Sequence, residues 1–492
     1  VIIRQIMQLI IIVGMVIFGA RIVFAQTPDA PHPQTVIIAL RHTLADDAGE
    51  SARAESTRRQ QIRILQDELV GRQLATARAI WRMQTMPVVV AQVDAATIAQ
   101  LQQDPAVLSV RPSRLFAHMT SESGTQIGAR AVHASGVTGA GTSVAVLDTG
   151  VDANHVALRG QIIQEACFST TDASYGSQSI CADGASMQVG AGSGQPCDLT
   201  IDACNHGTHV AGIVAGRVLT HDGITTGGVA PGAKLIAIQV FSRFVASHES
   251  AMCGASATTD CVFAFEHDLL RALDWLQLNN DGRVWGTLAA VNMSLGDGSY
   301  SEACDAIGGS PEYPLKWFID ELRRRGVATV VAAGNGASNS GVAFPACVSS
   351  AISVGSVSST TPVYGLRDRP SPFSNAPSHS ANVPNADGDK LLDFYAPGEL
   401  IRSSIATGGE RSFAEFSGTS MAAPHVAGAW ALIKSIRPRA SVSQVYRWLY
   451  DTGFPIAEQR SGFDATLVVP RIDVIRALAE IRNVQVPVAV SA

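Results

Sequence analysis

Lysine is almost missing from this chain: of 36 basic residues only Lys234, Lys316, Lys390 and Lys434 are lysines, and nowhere do basic residues gather into a run. With a formal net charge of −6, nucleic-acid binding has no electrostatic support and no such partner is expected. Close Cys-x-x-Cys pairs are absent as well. The eight cysteines (Cys167, Cys181, Cys197, Cys204, Cys253, Cys261, Cys304 and Cys347) therefore do not read as metal ligands. Nor does any uninterrupted apolar run reach the ~20 residues that a membrane-spanning helix needs, so stable membrane association is not expected.

What is present begins with Arg4, an apolar stretch over residues 6–20 and a small-residue cut position at Ala25. Basic start, apolar middle and small residues before a cut describe a secretory signal peptide over residues 1–25, which implies a secreted or extracytoplasmic protein, the periplasm included. An even number of cysteines, all in the middle of an exported chain, reads as disulfides. Neighbour pairing (Cys167–Cys181, Cys197–Cys204, Cys253–Cys261, Cys304–Cys347) is expected because the stretches between them read as surface loops.

Residues 26–34 are polar and Pro-rich, suiting a linker. A strand follows over 35–40, then a charged, helix-favouring stretch over 45–82 with Ile62, Leu65 and Leu69 at helical spacing. Residues 87–93 read as a strand, Asp94 caps a helix over 95–103, and 106–110 give a further strand. This is a small α+β unit ending at 119, without cysteine or catalytic set. Beyond Met119, Gly-rich loops alternate with short apolar strands at 143–147, 235–240, 289–293, 328–332 and 351–354, with helices expected over 261–278 and 313–325. Continuous apolar strands separated by helices imply an α/β domain over 120–482, a parallel sheet covered on both faces, with chemistry at the carboxyl ends of its strands. Residues 483–492 form a short tail.

Four features sit at such ends. Asp148 closes Val144-Ala-Val-Leu-Asp148, where a carboxylate is costly unless paired; alone it would read as a turn residue or a metal ligand. His206 opens the small-residue run His206-Gly-Thr-His209, whose spacing also fits metal ligation, although no third ligand is placed. Asn335 follows the strand 328–332 in Ala332-Ala-Gly-Asn335, where a turn Asn is the ordinary reading. Ser420 precedes the uncharged run Met421-Ala-Ala-Pro-His-Val-Ala-Gly428, where a serine is commonly the N-cap of a buried helix. Together they provide nucleophile, base, orienting acid and oxyanion donor.

Asp148-Thr-Gly150, His206-Gly-Thr-His209 and Gly418-Thr-Ser-Met-Ala-Ala-Pro424 resemble the three signatures of the subtilisin-like serine proteases, the subtilases, in the family order Asp, His, Ser. The resemblance spans about residues 124–478 and implies a subtilisin-like fold and a serine endopeptidase made as a zymogen. Asp148, His206 and Ser420 would be catalytic and Asn335 the oxyanion donor. Ser294, Leu295 and Gly296 would bind substrate by strand addition, while Ala332, Ala333 and Gly334 wall the pocket for the residue before the cut bond. Residues 35–119 would be the inhibitory pro-domain and folding assistant, its end near 116–120 lying in the active site as a product. Protein or peptide substrates, a monomer and no catalytic cofactor are implied. Structural calcium is common in the family; Asp387-Gly-Asp389 is acidic, but it assigns no ligand. His155-Val156 departs from a frequent His-Pro, and Asn205 from a frequent Gly or Asp. Other readings are an inactive subtilase-fold binding protein, which complete catalytic residues disfavour, and a membrane-tethered processing protease, which the short tail disfavours.

Overall fold

The structure is a computed structural model that describes residues 33–41, 52–77, 79–113, 115–118, 126–221, 224–248, 251–254, 256–280, 285–306, 313–358, 368–377, 391–407 and 409–481. The expected signal peptide, the Asp387-Gly-Asp389 pattern and the tail lie outside these residues.

Alternating β-branched and small residues build a ten-stranded sheet in the order 454–457, 468–471, 394–397, 352–357, 328–332, 287–293, 142–148, 234–239, 162–168, 187–189. Its neighbours run parallel except at the two outer strands. Both faces are covered, as continuous apolar strands require. Ala145 and Leu147 join one core with helices Glu266–Asn279 and Pro314–Arg324. Val144 and Val146 join the other, with helices His206–Ala215 and Thr419–Ile436. The fold is thus the α/β architecture that the sequence implies.

Residues 34–112 form a four-stranded antiparallel sheet, order 80–82, 88–93, 34–40, 107–112, with helices Ala52–Gln73 and Ala95–Leu101. One face packs on its own helices through Val36, Ile38, Leu69 and Leu101. The alternate residues Ile37, Ala39, Val88 and Val90 join the core under helix Glu266–Asn279, so this unit is docked, not merely tethered.

Two element boundaries differ from expectation. The helix read over 45–82 ends at Gln73, and Ile80–Arg82 forms an edge strand beside Val88–Val93. Tertiary pairing there overrides local helix propensity. The helix read over 261–278 begins only at Glu266, because Cys261–Phe265 is a strand. Val262, Phe263 and Phe265 favour that state, whereas Glu266 and Asp268 suit a helix's first turn.

The disulfides are Cys167–Cys181, Cys197–Cys204, Cys253–Cys261 and Cys304–Cys347, the expected pairs. The expected reason holds for only part of them: the 304–347 span contains helix Pro314–Arg324 and strand Ala328–Ala332, which are no surface loop.

Candidate active site

Three adjacent parallel strands set the site. Leu147, Met293 and Val331 lie side by side, so the next residues, Asp148, Ser294 and Ala332, form a row along the carboxyl edge of the sheet. His206 begins the helix behind that edge. Its Nδ1 lies 2.7 Å from Asp148 Oδ1, and both side chains are buried. Asp148 Oδ1 also accepts from Thr149 N at 2.7 Å. With Nδ1 protonated toward the carboxylate, Nε2 is the basic nitrogen. This approach depends on Gly207, where a Cβ would lie 2.3 Å from Gly150 O.

The second histidine of the motif has a different task. His209 Nε2 reaches Ile401 O at 2.9 Å, and its ring stacks on Phe416 at 4.3 Å between centroids. Burial, with the neighbouring His206 second, pushes its imidazole down to about 3. It is a neutral pin under the hairpin formed by Ile401–Ser404 and Phe413–Phe416. Among the described residues no group of three or more His, Cys, Asp or Glu is placed to hold a metal.

The helix Thr419–Ile436 packs against helix His206–Ala215. The N-cap position belongs to Gly418, so Ser420 is not the cap that a serine before an apolar run suggests; it is the second helical residue. The extended φ of 167° at Gly418 carries the chain into the helix. Ser420 is fully buried, and its Oγ donates to Ser294 O at 3.3 Å. Asn335 Oδ1 accepts from Thr419 N at 2.8 Å and from Thr419 Oγ1 at 2.9 Å. Those bonds occupy the oxygen end of the amide and leave Nδ2 as the end not spent on Thr419. Gly334 N donates to Thr419 Oγ1 at 3.1 Å. Thr419 is therefore a contributor that motif reading did not single out.

Ala332, Ala333 and Gly334 use their backbone within the fold. Ala333 N donates to Val354 O, and Ala333 O accepts from Ala343 N. They can offer a surface to a ligand, but little hydrogen bonding. Leu295 and Gly296 do pair with an added strand: Leu295 lies opposite His118, and Gly296 opposite Ala117. On its other side, strand Leu115–His118 pairs with Phe263–Phe265, so it is an inner strand of a six-stranded sheet. The sequence reading missed that second wall because it took residues 261–265 for helix.

The small unit is anchored by buried polar contacts. Arg111 makes two bonds of 2.5 Å to Glu266, which also accepts from Tyr313 Oη at 2.8 Å. Asp274 accepts from Gln84 N at 2.8 Å and Thr85 N at 2.9 Å. His267 Nδ1 sits 2.6 Å from Ser113 Oγ, under Trp81.

Comparison with known proteins identifies the family. Residues 139–466 match the subtilase family profile. The chain is 29% identical over 363 residues to subtilisin amylosacchariticus of Bacillus subtilis subsp. amylosacchariticus, covering 72% of each chain. It is 32% identical over 320 residues to an extracellular protease of Xanthomonas campestris pv. campestris, covering 62% of this chain and 45% of that one. It is also 30% identical over 332 residues to the major intracellular serine protease of Bacillus subtilis, covering 66% and 79%. The chain belongs to the subtilase family, the subtilisin-like serine endopeptidases.

Proposed function

We propose that this endopeptidase is exported, made as a zymogen, and works through Asp148, His206 and Ser420. Ser420 Oγ attacks the peptide carbonyl while His206 Nε2 takes its proton and then delivers it to the leaving amine. Asp148 holds the Nδ1 proton and stabilises the imidazolium. The oxyanion is received by Asn335 Nδ2 and the Ser420 N–H, and water then hydrolyses the acyl-enzyme. Subtilases need no catalytic cofactor, and the working form is taken to be a monomer.

The observation that carries the zymogen reading is the seat of residues 115–118. They lie in antiparallel register between Phe263–Phe265 and Leu295–Gly296, the place where an extended substrate would add as a strand. Residues 35–119 are then the inhibitory pro-domain, cut to give a mature start near Thr120. Ala332, Ala333 and Gly334 form the wall beside the residue before the cut. Export is supported by the 1–25 pattern and by four disulfides, which persist in oxidising compartments. Among the described residues no helix is long and apolar enough to cross a membrane.

Expression of wild type and Ser420→Ala, followed by N-terminal sequencing, tests this. A start near Thr120 in wild type, an uncut mutant, and fluorophosphonate labelling of wild type at Ser420 are expected. An uncut, unlabelled wild type refutes the assignment. Protein in the medium lacking residues 1–25 establishes export, and retention in the cytoplasm refutes it.

A further inference from the structure

Within helix Thr419–Ile436, the carbonyl of Ser420 is due a bond from the N–H four residues on. That residue is Pro424, which has no N–H. The carbonyl attached to the nucleophilic residue is therefore orphaned by the helix in a fully buried position, where an unpaired acceptor is costly. Ser294 fills the gap from outside: its Oγ donates to Ser420 O at 2.7 Å. In the opposite direction, Ser420 Oγ donates to Ser294 O at 3.3 Å. The two serines clasp each other.

Behind Ser294 stands Asn292, whose Nδ2 donates to Ser294 Oγ at 2.9 Å. Both residues are fully buried, in a stretch otherwise made of apolar residues, and Asn292 Oδ1 has no donor among the described residues. A buried amide with one end unpaired weakens the fold, and the one side-chain hydrogen bond of Asn292 among the described residues is with Ser294. Asn292 also orients the hydroxyl: with the amide N–H occupying an Oγ lone pair, the Ser294 proton is directed to Ser420 O. The adjoining residue, Thr419, is held by Asn335, just past the next strand, whose Oδ1 accepts from the Thr419 N–H and hydroxyl.

We propose that Asn292 and Ser294 are positioning residues for the nucleophile, and that Pro424 makes them so by handing the Ser420 carbonyl from the helix to the sheet. The first turn of the helix is thereby fixed to the strand whose neighbour ends in Asp148, and the Ser420 Oγ and N–H inherit that registration. The hydroxyl of Ser294 is spent on this bond; its main chain alone is left to meet substrate. The inference rests on Ser420 being the nucleophile.

The test is a double-mutant cycle on the full-length chain after self-processing, read by kcat, KM and the rate of fluorophosphonate labelling at Ser420. Ser294→Ala is expected to lower kcat and the labelling rate about tenfold or more, with KM within about twofold, as for an interaction that sets transition-state geometry. In a Pro424→Ala background residue 424 regains its N–H and can satisfy the carbonyl, so the same substitution should cost less than about threefold. Ser294→Thr, which keeps the hydroxyl, should restore labelling. Asn292→Ala should reproduce part of the loss in wild type and add nothing to Ser294→Ala. Should Ser294→Ala alone fail to fold, recovery of soluble, labelled protein in the Ser294→Ala/Pro424→Ala chain is the expected rescue. An equal loss in both backgrounds, a loss confined to KM, or labelling at the wild-type rate overturns the proposal. Absence of Ser420 labelling in wild type would instead refute the assignment of the nucleophile itself.

Discussion

Replacing Arg111 by alanine removes a bidentate ion pair between the small unit and the protease. Glu266 has no exposed side-chain surface, and the Arg111 side chain is 12% exposed. The guanidinium lies 3.6 Å from the centroid of the Tyr313 ring. Without Arg111, Glu266 keeps the Tyr313 hydroxyl as its one partner among the described residues, a buried carboxylate with most of its charge uncompensated. Breaking such a pair from one side costs about 3–5 kcal/mol. On the zymogen reading proposed above, the cut pro-domain leaves, water reaches Glu266 and that penalty vanishes, so the cost falls on binding alone. It corresponds to an about 10²–4 × 10³-fold faster release of the cut pro-domain, taking about 1.4 kcal/mol per tenfold. The assay is the lag before peptide hydrolysis begins when the freshly processed complex is diluted into substrate. The Arg111→Ala/Glu266→Gln chain removes the stranded charge and should recover about half of the lost binding free energy. A lag unchanged in Arg111→Ala refutes the reasoning, because the ion pair would then contribute nothing to docking.

Three further outcomes follow from the structure. Asn335→Leu should lower kcat by about 10²–10³ while leaving KM nearly unchanged, the cost of one oxyanion donor; an equal loss in KM would place Asn335 in substrate binding instead. Removing Cys304–Cys347, whose sequence separation is 43, should lower the unfolding free energy by about 4 kcal/mol, against about 2 kcal/mol for Cys197–Cys204 with a separation of 7; urea titration of the uncut Ser420→Ala chain measures both. Acid should destabilise that same chain. His209 and His267 are held at about 3 and His425 at about 4, burial being the first cause of each. The unfolded chain takes up these protons from about pH 6.5 downward, so stability is whole above that value and is lost as pH falls toward 4. His133 and His155, also lowered by burial, act in the same direction, while Asp268, raised by burial to about 6, and Asp274, raised by burial, oppose the trend over part of the range. A Tm that is flat from pH 7 to about 4 would refute this account.

The residues proposed as catalytic could be singled out because each motif is a local string whose residue types announce the chemistry. Asp148 and His206 meet at 2.7 Å although 58 positions separate them, and nothing short of the family order of motifs could pair them from sequence. Three kinds of feature were hidden. Strand Cys261–Phe265 runs directly into its helix with no Gly or Pro between them, so periodicity merged the two. The Cys304–Cys347 pair was expected because the stretch between the two cysteines read as a surface loop; hidden was that this stretch holds core elements whose return path is tertiary. The hydroxyl of Ser294 gains its meaning from Pro424, 130 positions away, and only the packed helix brings the two into one account.

The row Asp148, Ser294, Ala332 also says when this protein can become dangerous. Its members come from strands that begin at residues 142, 287 and 328 and that pair in parallel, so no hairpin or local helix can assemble them early. Parallel pairing over such separations is slow to form and comes after local structure. A chain still emerging, or one collapsed without register, holds every side chain proposed as catalytic but not the row that brings them together. The topology therefore works as a timer: on the function proposed above, cutting power arrives only with the finished sheet, in which strand Leu115–His118 lies between Phe263–Phe265 and Leu295–Gly296.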